Sequence, residues 1–125
     1  MVSAKEVAQK IEELVGKINK SESAKKEIVK WISKYDGKVI QWHLGDSPED
    51  KFYVVFTKSG AKFEVGDYSS PDMVWICDPQ VWLDFQSGAL DMRNALKEGK
   101  IFIWGSLHEA FPFMMILMTA LSEAT

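Results

Sequence analysis

Residues 99–118 read Gly-Lys-Ile-Phe-Ile-Trp-Gly-Ser-Leu-His-Glu-Ala-Phe-Pro-Phe-Met-Met-Ile-Leu-Met, and two hydrophobic patterns meet inside them. Lys100 to Trp104 is a short run of β-branched and aromatic residues between two glycines, the composition of a strand. After Gly105, Ser106 followed three residues on by Glu109 makes a capping box that opens a helix. From Ala110 to Met118 every residue is apolar. On a helical wheel Phe111, Met114, Met115, Met118 and Leu121 cover one side while Phe113, Ile116, Leu117 and Ala120 cover another, so the helix is hydrophobic nearly all round. Such a helix must be buried on most sides, lie against another protein, or present one side to an apolar ligand, because exposed patches of that size are rare on monomers. Three Met in five positions suit a guest of variable shape, although plain core packing produces the same spacing. Pro112 removes a backbone hydrogen bond and predicts a kink or a delayed helix start. A kinked, weakly anchored helix is suited to act as a lid.

Working outward from this stretch, the chain opens on two amphipathic helices. Ser3 and Glu6 form a capping box, and Ala4, Val7, Ala8, Ile11, Leu14, Val15 and Ile18 keep a 3.6-residue period. A second helix is predicted from about Ser23, carrying Ala24, Ile28, Val29, Trp31, Ile32 and Tyr35, with Gly37 as its stop. From Lys38 the period changes to two, giving strands over Lys38–Leu44 and Phe52–Thr57 that are apolar on both faces, as in a sheet covered on both sides. Ser59 and Gly60 turn the chain into Ala61–Val65, whose strict alternation marks an edge strand. Met73–Cys77 is a fourth strand. Asp78 and Pro79 start a helix whose buried stripe is Val81, Trp82 and Phe85, ending at Gly88, and Asp91–Glu98 is a short helix ended by Gly99.

The bulk numbers fit one globular unit. At 125 residues and 46% hydrophobic content, residues 1–125 read as a single domain with a sizeable core. Five Trp and seven Phe are bulky groups that a small domain packs fully or arranges around a guest. A net charge of -3 with Arg93 as the only arginine excludes the basic stripe that nucleic acid requires. Charge is uneven: up to Lys38 there are nine Lys against six acids, and the rest of the chain is acidic. The start is charged rather than apolar, and no apolar run approaches the roughly 18 residues of a membrane span. With a lone Cys77 and no disulfide framework, the expectation is a cytoplasmic protein with no transmembrane segment.

In its carboxyl half the sequence resembles the sterol carrier protein 2 (SCP-2) family. The resemblance is carried by Met73, Asp78, Trp82, Leu83, Phe85 and Gly88, then Ala95, then Gly99-Lys100-Ile101-Phe102-Ile103-Trp104-Gly105, and by Ala110 and Leu117 before an apolar terminal helix. With the earlier strands included it covers roughly residues 20–122. It implies an α+β fold, a five-stranded mainly antiparallel sheet covered by helices, with an apolar tunnel under the C-terminal helix. The implied ligands are sterols, fatty acids, acyl-CoA or other lipids. Carried onto matching positions, the ligand-binding wall comprises Trp82, Phe85, Phe102, Trp104, Phe111, Met114, Met115 and Met118. Trp104 is bulkier than the family's usual residue and Pro112 departs from its pattern. The carboxyl end lacks the peroxisomal signal of eukaryotic members, which points from sterol toward an acyl-chain or other lipid binder. The same fold serves as an accessory or dimerisation domain, so docking of the apolar helix on a partner, or on a second copy as a homodimer, is the alternative.

No catalytic set emerges beside this. His43 and His108 have no metal-ligand spacing with Cys77 or with each other, and neither metal nor cofactor is implied. His43 alternates within a strand, His108 falls in the first turn of the last helix, and Glu109 is the capping acid. Cys77 beside a helix start could have a lowered pKa, but its neighbours are apolar. Asp46, Glu49 and Asp50 form a solvated turn, and Gly99-Lys100 lacks the glycines of a phosphate loop. The expectation is a binding protein and not an enzyme.

Overall fold

The computed structural model describes residues 2–33, 35–105 and 107–124. Helix α1 spans Ala4–Lys20, its start fixed by the Ser3 hydroxyl, which accepts from the Glu6 N–H at 3.2 Å. It buries the predicted stripe Val7, Ile11, Leu14, Val15 and Ile18. Ser21 ends α1 and begins α2 (Glu22–Ile32), its hydroxyl accepting from the Ala24 N–H at 3.0 Å. The second helix thus starts slightly before the expected Ser23. It stops at Ser33, whose φ of +54° breaks the helical ladder, so Tyr35 falls outside it and is exposed. Gly37, expected as the stop, instead opens the first strand, where a Cβ would stand 2.8 Å from the Phe56 carbonyl oxygen.

The strands are β1 (Gly37–His43), β2 (Lys51–Thr57), β3 (Gly60–Val65), β4 (Met73–Cys77) and β5 (Ile101–Gly105). They form one sheet in the order β3-β2-β1-β4-β5. β1 and β4 run parallel and the other neighbours antiparallel. The sheet is therefore mixed and mainly antiparallel, with β3 and β5 at its edges. Between β4 and β5 lie α3 (Pro79–Gln86) and α4 (Met92–Lys97). A 3-10 turn at Leu107–Glu109 then leads into α5 (Ala110–Ala124). That turn is the delayed start predicted from Pro112, which sits in the first turn of α5, where an N–H would have no intrahelical partner. Ser106 and the side chain of Leu121 lie outside the described residues.

The two-residue period sorts each strand onto two sides. Ile40, Trp42, Phe52, Val54, Phe56, Met73, Trp75 and Ile101 point into one buried core shared with all five helices. Val39 and Val74 are also buried but stand apart from that core, on the opposite face with Tyr53, Val55, Ile76, Phe102 and Trp104. Apolar residues on both faces of β1 and β2 suggested a sheet covered on both sides. The helices cover one face; on the other the connection from β3 to β4 buries Val39 and Val74 but leaves Ile76, Phe102 and Trp104 exposed. The Gln41 side chain pins that segment: its oxygen accepts from the Tyr68 N–H at 2.8 Å, and its amide nitrogen donates to the Phe52 and Gly66 carbonyls at 3.0 Å each.

Candidate apolar ligand site

α5 lies over the centre of the sheet with Phe113, Ile116, Leu117 and Ala120 buried. The Phe113 ring sits 5.6 Å from Trp42, 6.0 Å from Phe56 and 6.2 Å from Trp75. Trp42 and Trp75 are register partners on β1 and β4, so their indoles rise side by side from the sheet. Trp82 of α3 stands edge-on to both, at 5.4 and 5.2 Å, and Phe85 closes the layer at 5.3 Å from Trp82 and 5.6 Å from Trp75. Edge-to-face pairs of this kind each add about 0.5–1.5 kcal/mol beyond area burial.

Two of these indoles lack hydrogen bonds. The Trp82 N–H donates to Gln86 Oε1 at 2.9 Å and the Trp31 N–H to Glu109 Oε2 at 3.0 Å. The fully buried Trp42 and Trp75 N–H groups have no hydrogen-bond partner among the described residues. A buried donor left unmet costs about 1–3 kcal/mol, and native folds leave few of them.

The opposite face of α5 is apolar as well. Phe111, Met115 and Met118, spaced i, i+4 and i+7, are 64%, 54% and 62% exposed. Met114 lies between the two faces, half-buried against the core. The start of α5 is tied down by Glu109, whose carboxylate meets Lys38 Nζ at 2.7 and 2.9 Å in addition to Trp31. Glu109 thus joins α5 to β1 and α2. The capping role expected of it would involve Ser106, outside the described residues.

The eight residues expected on one wall fall into three places. Trp82 and Phe85 stand in the aromatic layer, and Met114 is half-buried against the core. Phe111, Met115 and Met118 form the outer face of α5. Phe102 and Trp104, about 60% exposed, lie across the sheet, opposite Ile76 and Val74 on β4. The reason is the strand period, which turns Ile101 and Ile103 to the core and their neighbours away. Sequence reasoning did not single out Trp42, Trp75 and Phe113. For the two tryptophans the signal was an indole at a core-facing strand position, where Phe, Leu or Val packs without a polar atom. An open tunnel is not shown, since Phe113 occupies the space between α5 and the two indoles. Surface cavities open elsewhere. One of about 570 Å³ is lined by Glu22, Lys25, Lys26, Val29, Lys30, Lys58 and Ser59, and one of about 440 Å³ by His43, Lys51, Ile76, Cys77, Lys100 and Phe102 among others.

The reactive residue types are otherwise occupied. His43 Nε2 lies 2.8 Å from Asp67 Oδ1, and Lys51 approaches the same carboxylate at 3.6 Å. The hydrogen bond from His43 is the main reason the Asp67 carboxyl is held below its ordinary value. Burial, with a smaller contribution from Asp78, pushes the Cys77 thiol up to about 12, so desolvation overrides the lowering expected from the helix start. His108 is exposed on the 3-10 turn before α5. Asp50 caps its turn by accepting from the Ser47 N–H at 3.3 Å. Among the described residues no cluster of His, Cys, Asp and Glu could hold a metal ion, and no helix is long and apolar enough to cross a membrane.

A five-stranded sheet with its helices on one face and an apolar terminal helix laid over its centre is the architecture of a sterol-carrier-type lipid-binding domain. The model of the SCP-2 sterol transfer family matches residues 11–118, and this chain belongs to that family. It is thereby placed among proteins of lipid binding and transfer in general. Among solved structures, it is similar to UbiJ-SCP2, a ubiquinone synthesis protein, at 17% identity and a TM-score of 0.68, over 91% of this chain and 95% of that one. It is also similar to apo sterol carrier protein 2 from Yarrowia lipolytica, at 14% identity and a TM-score of 0.65, over 92% and 89%. A third similar structure is the stereoselective inverting sec-alkylsulfatase Pisa1 from Pseudomonas sp., at 13% identity and a TM-score of 0.58 over 76% of this chain. This chain spans only 14% of that sulfatase's length. At these identities the likeness is one of fold. No curated protein sequence matches the chain.

Proposed function

We propose that this chain binds an apolar lipid-like ligand, a fatty acyl chain, acyl-CoA or sterol-like molecule, in a space that opens between α5 and the aromatic floor of the sheet. The observation that carries the reading is the exposed outer face of α5. A helix apolar on both sides can lift or turn to admit a guest without driving a polar face into the core. Trp82, Phe85 and Met114 already border that space, and Phe111, Met115 and Met118 join it when α5 turns. Phe102 and Trp104, across the sheet, drop out of the proposed wall. Ten methylenes taken from water contribute on the order of 8 kcal/mol, which before the costs of ordering corresponds to a micromolar complex. Residues 1–125 work here as one cytoplasmic binding unit without a cofactor or catalytic step.

Native mass spectrometry of the purified protein and uptake of a fluorescent fatty acid test this. One bound equivalent is expected, with affinity falling tenfold or more in Met115→Asp. No co-purified lipid and no uptake of fatty acid, acyl-CoA or sterol would reject the proposal. The single stripe of Phe111, Met115 and Met118 also favours a second reading, in which α5 pairs with a second copy of the chain. Light scattering separates the two: a dimer abolished by Met115→Asp, in protein that takes up no lipid, supports pairing.

A further inference from the structure

The two unpartnered indoles narrow the ligand class. Resting on the lipid-binding reading above, we infer that the ligand carries an uncharged oxygen acceptor, a carbonyl or hydroxyl, received by the Nε1–H groups of Trp42 and Trp75. Both side chains are almost wholly buried, and their indole N–H groups have no hydrogen-bond partner among the described residues. The parallel pairing of β1 with β4 sets them in register. Both lie in ring contact with Phe113, on the one helix that has two apolar faces. Elsewhere the fold gives buried indoles an acceptor, Gln86 for Trp82 and Glu109 for Trp31. Two register-paired indoles, both in ring contact with Phe113 and both without an acceptor among the described residues, therefore mark a place for an acceptor that arrives with the guest. When α5 lifts and Phe113 withdraws, the apolar body of the guest takes the place of that ring.

The surroundings set the charge of that acceptor. The rings packed against the two indoles are Phe52, Trp82, Phe85 and Phe113, with no cation among them. Lys38 is engaged with Glu109. A carboxylate desolvated against neutral indole donors would be uncompensated, whereas a ketone, ester or alcohol oxygen needs only the hydrogen bonds. Free fatty acid anions are thus the poorer members of the proposed class.

Four C16 lipids that differ only in their polar group, hexadecane, 2-hexadecanone, 1-hexadecanol and palmitate, are competed against a fluorescent apolar probe on the whole chain. Wild type is expected to bind the ketone and the alcohol at least tenfold more tightly than palmitate or the alkane. Trp42→Phe and Trp75→Phe should each lose most of that preference while keeping alkane affinity. In indole-labelled wild type, two of the five indole N–H resonances should move downfield with the ketone and stay put with the alkane, a readout that does not depend on the variants folding. Equal affinity for all four lipids, or ketone binding with unmoved indole signals, overturns the hydrogen bond and leaves lipid binding intact. Failure of every lipid to bind overturns both.

Discussion

Glu109 carries more of the structure than its place at a helix start suggested. Its carboxylate accepts from Lys38 at 2.7 Å with both side chains largely buried, so removing one partner strands the other. Glu109→Gln should cost about 2–3 kcal/mol in urea unfolding, and the double variant Lys38→Met, Glu109→Leu should cost less than that single change. The sequence placed an acid here correctly, but its partners stand 71 and 78 positions away, beyond any local pattern. Asp67 sets a pH dependence. Its carboxyl is held below the ordinary 3.8 by His43, so its contribution is present above 3.8 and lost as pH falls through the lower folded value. The stability gap between wild type and Asp67→Asn should shrink in that acid window. Because Asp67 is more than half exposed, the gap should stay under about 1 kcal/mol at any pH. Cys77, with its thiol pushed from 9.0 to about 12, should alkylate at pH 8 roughly a thousandfold more slowly than a free cysteine. Unfolding in urea should restore ordinary labelling.

At the scale of elements, α5 has two apolar faces of unequal consequence. Phe113→Ala removes a ring packed against Trp42, Phe56 and Trp75 and should lower stability by about 3–5 kcal/mol. Met115→Ser, on the exposed side, should stay within about 0.5 kcal/mol in the same thermal or urea melts. Composition made both sides of this helix legible, but not which one faces the sheet, because a wheel apolar all round gives no direction. β5 is the reverse case. Its alternation already separated Phe102 and Trp104 from Ile101 and Ile103, and only the grouping drawn from family resemblance set them on the wall with α5. The strands, their order along the chain and the short helices were legible from two-residue alternation and from Gly and Pro punctuation. The end of α2 was misread, because the positive φ that stops it belongs to Ser33, a residue with no compositional signal for it.

Across the whole molecule, the feature that no local pattern could supply is the parallel seam between β1 and β4. It brings Trp42 beside Trp75, and Asp72 clamps it, its carboxylate accepting from the Val39 N–H at 2.7 Å and its own N–H donating to the Val39 carbonyl at 2.8 Å. The candidate site is therefore a product of topology, and sequence alone could name its aromatic residue types but not their meeting. On the face without helices, the antiparallel pairing of β4 with β5 sets Val74 beside Trp104 and Ile76 beside Phe102. Phe102→Lys with Trp104→Lys should reduce binding of a hydrophobic dye there and shift the melting temperature little. Finally, α5 roofs residues that all precede it. A ribosome adding about 5–20 residues per second needs about one to three seconds for its 15 residues. Throughout that interval the indoles of the nascent polypeptide lack their cover, so a chaperone, or the greasy cargo itself, has an opening to act as temporary thatch before the permanent roof is made.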